Sequence, residues 1–116
     1  MIIINLYEDD DGISHFREID VEWSDQLFTL RTTERITVKG LFFVESPADY
    51  NLDWHTAPRK QYIINLDAAV QITAGDGESR EIGIGQVLLV EDTTGQGHLS
   101  KVVGNKIRHA AFIAVE

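Results

Sequence analysis

The sequence contains no cysteine. A chain without cysteine cannot form a disulfide framework, a thiolate metal site or a cysteine nucleophile. Long hydrophobic runs are also missing, and none approaches the ~18–20 apolar residues that a membrane-spanning helix requires. The opening residues, Met1-Ile2-Ile3-Ile4, lack the basic segment and the apolar length of a signal peptide. We therefore expect a cytoplasmic protein that does not cross a membrane.

Basic side chains are scarce. Lysine and arginine number 10 against 19 acidic residues, which gives a net charge of −9. Nucleic-acid binding depends on clustered lysine and arginine, and binding to an anionic lipid surface needs the same residues. We therefore expect neither nucleic acid nor membrane as a partner. A chain of 116 residues, 43% of them hydrophobic, suits one domain with one core.

What the sequence does contain is a two-residue period of apolar side chains. Within residues 36–44, for example, Ile36, Val38, Phe42 and Val44 stand at even positions, which indicates a strand with one face in a core. The pattern continues in residues 61–66 (Tyr62, Ile64, Leu66), 69–74, 87–91, 98–103 and 107–115. Asp76-Gly77 separates two such runs and predicts a hairpin turn. Residues 21–29 predict at most a turn or two of helix.

About eight short strands with glycine-rich turns predict an all-β fold, an antiparallel sandwich or barrel. We expect a single domain over residues 1–116. Residues 1–35 are predicted to form an N-terminal strand and an irregular segment, and residues 36–116 the barrel. Ile2, Ile3, Ile4 and Leu6 would make the terminal strand an apolar edge, and an uncovered edge pairs readily with another chain. This favours a homodimer.

Three stretches of the sequence carry a resemblance to a known family. They are Asp53-Trp54-His55-Thr56-Ala57-Pro58 with Gln61-Tyr62, the run from Gly83 to His98, and Asp11-Gly12-Ile13-Ser14-His15-Phe16. Together they resemble the cupin superfamily, in particular small single-domain bacterial cupins. The resemblance implies a double-stranded β-helix, the antiparallel jelly-roll barrel of cupins, and a homodimer, since related cupins often dimerise. It implies no single reaction, because cupins host dioxygenases, isomerases, lyases and sugar binders.

The metal-binding motifs of that family are degenerate in this sequence. The first cupin motif carries two histidines, a carboxylate and two glycines, and of these only His55 remains. The other positions match Asp49, Ala57, Gln61 and Ala68. The glycines of the second motif match Gly77, Gly83 and Gly85, but simple spacing places Leu88 where its histidine would stand. His98 resembles the histidine that many cupins present after a longer turn.

The candidate site consists of five residues. His55 and Gln61 share parity, so in an extended segment both would face one cavity. Histidine titrates near neutrality, and His55 and His98 are therefore candidates for proton transfer. Asp92 would orient an imidazole, and Gln61 or Tyr62 would hydrogen-bond a substrate carbonyl. These catalytic candidates predict a pocket that binds or transforms a small polar organic molecule, as an acid–base isomerase, cyclase or lyase would.

Two alternatives stay open. His55, His98 and Gln61, completed by Asp92 or Asp53, would form a site for Zn, Fe or Ni in a dioxygenase-type enzyme. An amide oxygen is a poor ligand for these metals, so we expect no cofactor, with a divalent transition metal as the alternative. The second alternative is a ligand-binding module without catalysis. The sequence does not separate enzyme from binder, and it does not name the substrate.

Several neighbouring residues are secondary candidates. Trp54 would offer an aromatic wall for the pocket, although ordinary packing is the preferred account of it. His15 lies outside the barrel motifs and is expected at the surface. His109 shares parity with Ile113 and is an outside candidate for the cavity. The neighbouring cations at positions 59 and 60 are expected to lie on the rim.

Overall fold

A computed structural model describes residues 1–115, and Glu116, the last residue of the predicted domain, lies outside the described residues. Residues 1–115 form twelve strands and no helix, which confirms the prediction of an all-β chain. The strands are β1 (Ile2–Glu8), β2 (Ser14–Asp20), β3 (Asp25–Leu27), β4 (Leu30–Thr32), β5 (Gly40–Ser46), β6 (Asn51–His55), β7 (Gln61–Asn65), β8 (Val70–Thr73), β9 (Ser79–Ile82), β10 (Val87–Val90), β11 (His98–Val102) and β12 (Arg108–Ala114). The part of the chain described here therefore contains no helix that could cross a membrane.

The strands form two main sheets and a small hairpin. The larger sheet has the order β2-β1-β10-β7-β12-β5, the second sheet has the order β6-β11-β8-β9, and β3 pairs only with β4. All pairs are antiparallel except β1 with β10, which run parallel with Ile3 opposite Val87. The fully antiparallel prediction is therefore wrong at this pair, because no hairpin joins the two strands and sets their direction. The two main sheets do not form one closed barrel.

The N-terminal segment is more regular than the sequence predicts. β1 lies between β2 and β10 and is therefore not a free sheet edge. The homodimer was predicted on the assumption that this strand is an uncovered edge, so that basis for the prediction is wrong. Both β1 and β2 belong to the larger sheet, which therefore does not begin at residue 36. Residues 21–29, which carry the weak helical signal, contain β3, and the strand expected from residue 36 begins at Gly40.

The core lies between the larger sheet and the second sheet. Its buried side chains come from both sheets and include Leu6, Leu88, Val90, Val70, Ile72 and Ile82. Full burial of a side chain of this size contributes about 1.5–3 kcal/mol to folding. The two sheets therefore hold each other through the apolar layer between them.

The outer face of the larger sheet is also apolar. Ile3, Ile64, Tyr62 and other side chains of this face line an outer groove of about 660 Å³, flanked by residues 21–24 and 33–38. In β7 the core face therefore carries Gln61, Ile63 and Asn65, whereas the expected core residues Tyr62 and Ile64 lie in the groove. Because chain segments flank both faces of this sheet, both faces need apolar side chains, and alternation alone does not identify the core.

Candidate functional site

A cavity of about 320 Å³ is lined by residues of both main sheets. β5 ends the larger sheet and β6 ends the second sheet. Phe42 on β5 and Leu52 on β6 both line the cavity and are both exposed, so the cavity opens between these two sheet edges. Its polar lining includes Tyr50, His55, Gln61, His98, Ser100 and Arg108. The volume falls at the small end of the range for ligand sites.

His98 and Asp92 form a buried pair at the cavity. His98 begins β11 and is 6% exposed, and Asp92 is 0% exposed. Nδ1 of His98 lies 2.5 Å from Oδ2 of Asp92. With Asp92 as a carboxylate, Nδ1 donates and the basic lone pair lies on Nε2, which forms no hydrogen bond with residues 1–115. This is the arrangement by which a carboxylate orients a histidine base.

His55 lies directly opposite His98 across the pair of strands β6 and β11. The ring centroids of the two histidines are 4.4 Å apart, with the ring planes at 58°. Nδ1 of His55 donates to the backbone oxygen of Asp53 at 2.7 Å, because a carbonyl can only accept. Burial lowers the pKa of His55 below its ordinary value of 6.5, against the opposing effect of the Asp53 hydrogen bond. His55 is therefore a neutral imidazole at pH 7 with its lone pair on Nε2.

The loop between β10 and β11 places these groups together. The amide of Ala57 donates to the backbone oxygen of Asp92 at 3.1 Å, which ties the loop to the chain just after His55. Ser14 donates through its hydroxyl to the backbone oxygen of Gly97 at 2.7 Å. Gly97 itself has φ +79, a left-handed conformation that glycine adopts without steric cost. The loop is thus fixed at both ends next to the two imidazoles.

Gln61 brings an unpaired amide to the same cavity. It is 2% exposed, and its Oε1 is buried with no hydrogen-bond partner among residues 1–115. A buried polar atom without a partner costs about 1–3 kcal/mol. The Gln61 amide therefore needs a water molecule or a ligand in the cavity to satisfy it. Matching parity in the sequence predicts that Gln61 and His55 face one cavity, and both residues line it.

Tyr62 does not line the cavity. It follows Gln61 in β7, and successive strand residues point to opposite faces, so Tyr62 lies in the outer groove. The prediction that Tyr62 hydrogen-bonds a substrate carbonyl in the cavity is therefore wrong. Trp54 and Asp53 are also absent from the cavity lining of the described residues. Oδ1 of Asp53 instead accepts from the backbone amide of Trp54 at 2.9 Å.

His15 lies at the surface between two carboxylates. Its Nε2 is 2.7 Å from Oδ2 of Asp9, and its Nδ1 is 2.9 Å from Oδ2 of Asp76. The hydrogen bond to Asp9, with a smaller effect from Asp76, raises the pKa of His15 above its ordinary value of 6.5. Since Asp9 follows β1 and Asp76 belongs to the β8–β9 turn, the His15 ring joins two hairpin turns.

His109 has a similar environment on the opposite end of the chain. Its Nδ1 bonds to Oδ2 of Asp67 at 2.5 Å, and its Nε2 bonds to Oε2 of Glu45 at 2.7 Å. The Asp67 hydrogen bond, followed by the Glu45 hydrogen bond, raises the pKa of His109 above 6.5. His109 is half-exposed and does not line the cavity, which corrects the prediction that it is an outside candidate for the cavity.

Four polar residues of the cavity were not predicted from the sequence, namely Tyr50, Thr56, Ser100 and Arg108. The hydroxyls of Tyr50 and Ser100 are 2.8 Å apart. Arg108 is 4% exposed, although arginine is almost never fully buried without a partner. A signal for Arg108 exists in the sequence, because it shares parity with Ala110 and Phe112, the inward-facing residues of β12. A charged residue on the apolar face of a strand indicates a buried polar site.

The donor set of the cavity fits poorly with the alternative of a transition-metal site. Residues 1–115 contain no group of three or more His, Asp or Glu side chains arranged to hold a metal ion. His55 and His98 offer two imidazoles, but Asp92 is bonded to Nδ1 of His98, and Gln61 offers a neutral amide. Zn, Ni and Fe sites usually take three or more imidazole, thiolate or carboxylate ligands.

Comparisons with known proteins name no function. No family model matches the sequence, and no curated protein matches it. Among solved structures, the chain is similar to the conserved SPY1581 protein of unknown function from Streptococcus pyogenes, at 15% identity over 74% of this chain and 71% of that chain, with a TM-score of 0.49. It is also similar to protein NMB1881 from Neisseria meningitidis, at 19% identity over 70% of this chain and 79% of that chain, with a TM-score of 0.46. Similarity at this level supports no argument about family or activity.

Proposed function

We propose that the chain is a cupin-type jelly roll whose cavity binds a small polar organic molecule and moves a proton on it. The observation that carries this proposal is the buried pair of His98 and Asp92, with the neutral ring of His55 4.4 Å from the ring of His98. A histidine oriented by a carboxylate, with a free Nε2 beside a ligand-sized cavity, meets the geometric requirement for general acid–base catalysis. The two facing sheets support the cupin assignment.

The proposed step is removal of a proton from a carbon next to a carbonyl group. Nε2 of His98 takes the proton, the C–H electron pair moves into the carbonyl, and an enolate forms. Asp92 stabilises the resulting imidazolium through Nδ1. Return of the proton to a different atom of the enolate gives isomerisation, and expulsion of a leaving group from the adjacent carbon gives elimination.

Two further residues assist this step. The buried Oε1 of Gln61 has no hydrogen-bond partner among residues 1–115, and Nε2 of the same amide donates to the carbonyl oxygen on which negative charge develops. His55 provides a second neutral Nε2 next to His98, and its lowered pKa keeps it unprotonated at pH 7. The cavity therefore holds one base, one neighbouring acceptor and one donor for the oxygen.

Hydrogen–deuterium exchange tests this function without knowledge of the natural substrate. The full chain is incubated in D2O with a set of small ketones and 2-oxo acids, and loss of the protons next to each carbonyl is followed by NMR. We expect faster exchange of at least one compound with the wild-type protein than with His98→Gln, by about 10²–10⁴-fold. His109→Gln makes the same chemical change at a surface histidine and should exchange at the wild-type rate.

Two results would count against this function. Equal exchange rates for wild type and His98→Gln with every compound would reject proton transfer. If small molecules still shift the NMR signals of His55 and His98 in that case, the cavity is a ligand-binding module without catalysis. If no compound shifts these signals, the cavity is not a small-molecule site.

A further inference from the structure

Arg108 has more hydrogen-bond donors than the protein uses. Its Nε donates to Oδ1 of Asn65 at 2.7 Å, and Nη1 donates to the hydroxyl of Ser46 at 3.2 Å. A guanidinium carries five N–H donors, so three of them have no partner among residues 1–115. These two hydrogen bonds fix Nε and Nη1 of the guanidinium. Nη2 forms no hydrogen bond with residues 1–115. Arg108 also lines the cavity.

The charge of Arg108 is buried and has no counter-ion in residues 1–115. No carboxylate among these residues forms an ion pair with its guanidinium. Asp67 acts on it only at longer range and is already bonded to His109. Burial of an unpaired charge is strongly unfavourable unless an opposite charge compensates it. Arg108 is thus a buried cation that lines the cavity and whose charge no carboxylate among residues 1–115 compensates.

The polar groups of the cavity fall into two sets. His55, His98 and Gln61 form one set, and Tyr50, Ser100 and Arg108 form the other. Ser100 lies two residues beyond His98 on β11, about 7 Å along the strand, and its hydroxyl bonds to that of Tyr50. Tyr50 and Arg108 both line the cavity. Apolar side chains, such as Ile63, Val70 and Phe112, supply the remaining wall.

We propose that the cavity selects a small organic monocarboxylate, with its carboxylate bound by Arg108 and its apolar body extending toward His55 and His98. The flat fork of a guanidinium matches the two oxygens of a carboxylate, which gives a paired, charge-assisted contact. This inference rests on the proposed function for the reacting end of the site and adds the substrate class. The hydroxyls of Tyr50 and Ser100 lie next to the carboxylate end.

Matched pairs of probes test this inference on the wild-type protein. The isotopically labelled full chain is titrated with benzoate and benzamide, with 2-oxobutyrate and butanone, and with cyclohexanecarboxylate and its amide. In each pair of probes that binds to the protein, we expect the carboxylate to bind about 10- to 100-fold more tightly than the neutral compound. The Nε–H signal of Arg108 should shift with the carboxylates and not with the neutral compounds.

Two variants separate this inference from the proposed function. Arg108→Gln should abolish the preference for carboxylates, and His98→Gln should retain it while losing proton exchange. Equal affinities within the pairs, or no shift at Arg108 with any probe, would overturn the inference, and the exchange assay would then decide the proposed function alone. A carboxylate preference without exchange would keep the inference and reject the catalytic step. If Arg108→Gln does not fold, the wild-type comparison still decides.

Discussion

Gly97 lies against the peptide group of His55, closely enough that a Cβ atom on Gly97 would overlap the carbonyl oxygen of His55. His98 follows directly in the chain, so this backbone contact sets the position of one imidazole relative to the other. Only glycine satisfies both requirements at this position, because its φ is +79 and no space exists for a side chain.

Gly97→Ala should therefore destabilise the protein and lower its proton-exchange activity. The left-handed φ alone disfavours alanine by about 1–2 kcal/mol, and the overlap with His55 adds to this. Gly85→Ala is the matched control, since Gly85 also has φ +79 but has nothing within 4 Å of a built Cβ. Thermal unfolding and the exchange assay should show a larger loss of stability for Gly97→Ala and a loss of activity for that variant alone. Equal effects of the two substitutions would contradict the proposed role of the contact.

Asp92→Asn should remove the orientation of His98 while leaving its ring in place. An amide at this position can donate to Nδ1, which would move the ring proton to Nε2 and remove the basic lone pair from the cavity. We expect proton exchange to fall by at least about 10²-fold. Nitrogen-15 spectra of the histidine rings report the tautomer directly. Asp67→Asn, which changes the partner of surface His109, should leave both proton exchange and the His98 tautomer unchanged. An equal loss of proton exchange in Asp67→Asn would show that the effect of Asp92→Asn is not specific to the His98–Asp92 pair.

His55 should titrate below 6.5 in an NMR titration of the folded protein, because burial disfavours its charged form. The unfolded chain then binds this proton more readily than the folded chain. Stability should consequently fall as pH decreases below 6.5 and reach a plateau above it. His55→Gln should remove this part of the pH dependence. A His55 pKa above that of His15, whose neighbouring carboxylates raise its pKa, would contradict the description of the cavity.

His109→Gln should reduce stability most in weakly acidic solution. The pKa of His109 is raised above 6.5 by Asp67 and Glu45, so its stabilisation is complete below 6.5 and is lost as pH rises through the raised value. The pKa of Asp67 is lowered below 3.8 by the amide and ring of His109, so its stabilisation is lost as pH falls through that lower value. The difference in unfolding free energy between wild type and variant, measured with denaturant across pH, should peak between about 3.8 and 6.5. A difference independent of pH would show that the ion pairs do not contribute.

We propose that the protein is a homodimer in which the β3–β4 hairpin packs on a second copy. Leu27, Phe28 and Leu30 on this hairpin are 55%, 85% and 59% exposed. A lone two-stranded hairpin is marginal in water, and the same chain offers exposed apolar Leu41 and Phe43 on the outer face of the larger sheet.

Light scattering should accordingly give twice the chain mass of 13.1 kDa. Phe28→Ser combined with Leu30→Ser should shift the mass to that of the monomer. Ile84→Ser, at an exposed apolar residue outside the hairpin, is the control and should remain dimeric. A wild-type mass of one chain at micromolar concentration would reject the dimer.

The sequence predicted the all-β class because a two-residue period is a local property of each strand. The same parity argument placed His55 and Gln61 toward one cavity. It failed for Tyr62 and Ile64, because residues from the 21–38 segment flank the outer face and make that face apolar too. Parity marks Arg108 as a charged residue on the inward face of β12, but its partners Asn65 and Ser46 lie on other strands, so its role depends on long-range contacts that the local pattern does not give. The parallel pairing of β1 with β10 was missed for the same reason.

The mouth of the cavity lies at the ends of both sheets, away from the apolar layer that joins them. Phe42 and Leu52 border this opening and are already 48% and 42% exposed, whereas Leu6, Leu88 and Val70 in the core are fully buried. Substitutions at the two border positions therefore change which ligand shapes can enter at little expense in folding stability. The mouth is therefore set by residues outside the core, whereas the inner wall shares Val70, Ile72 and Val90 with the core, so ligand selectivity can be redesigned at the mouth while the scaffold is retained.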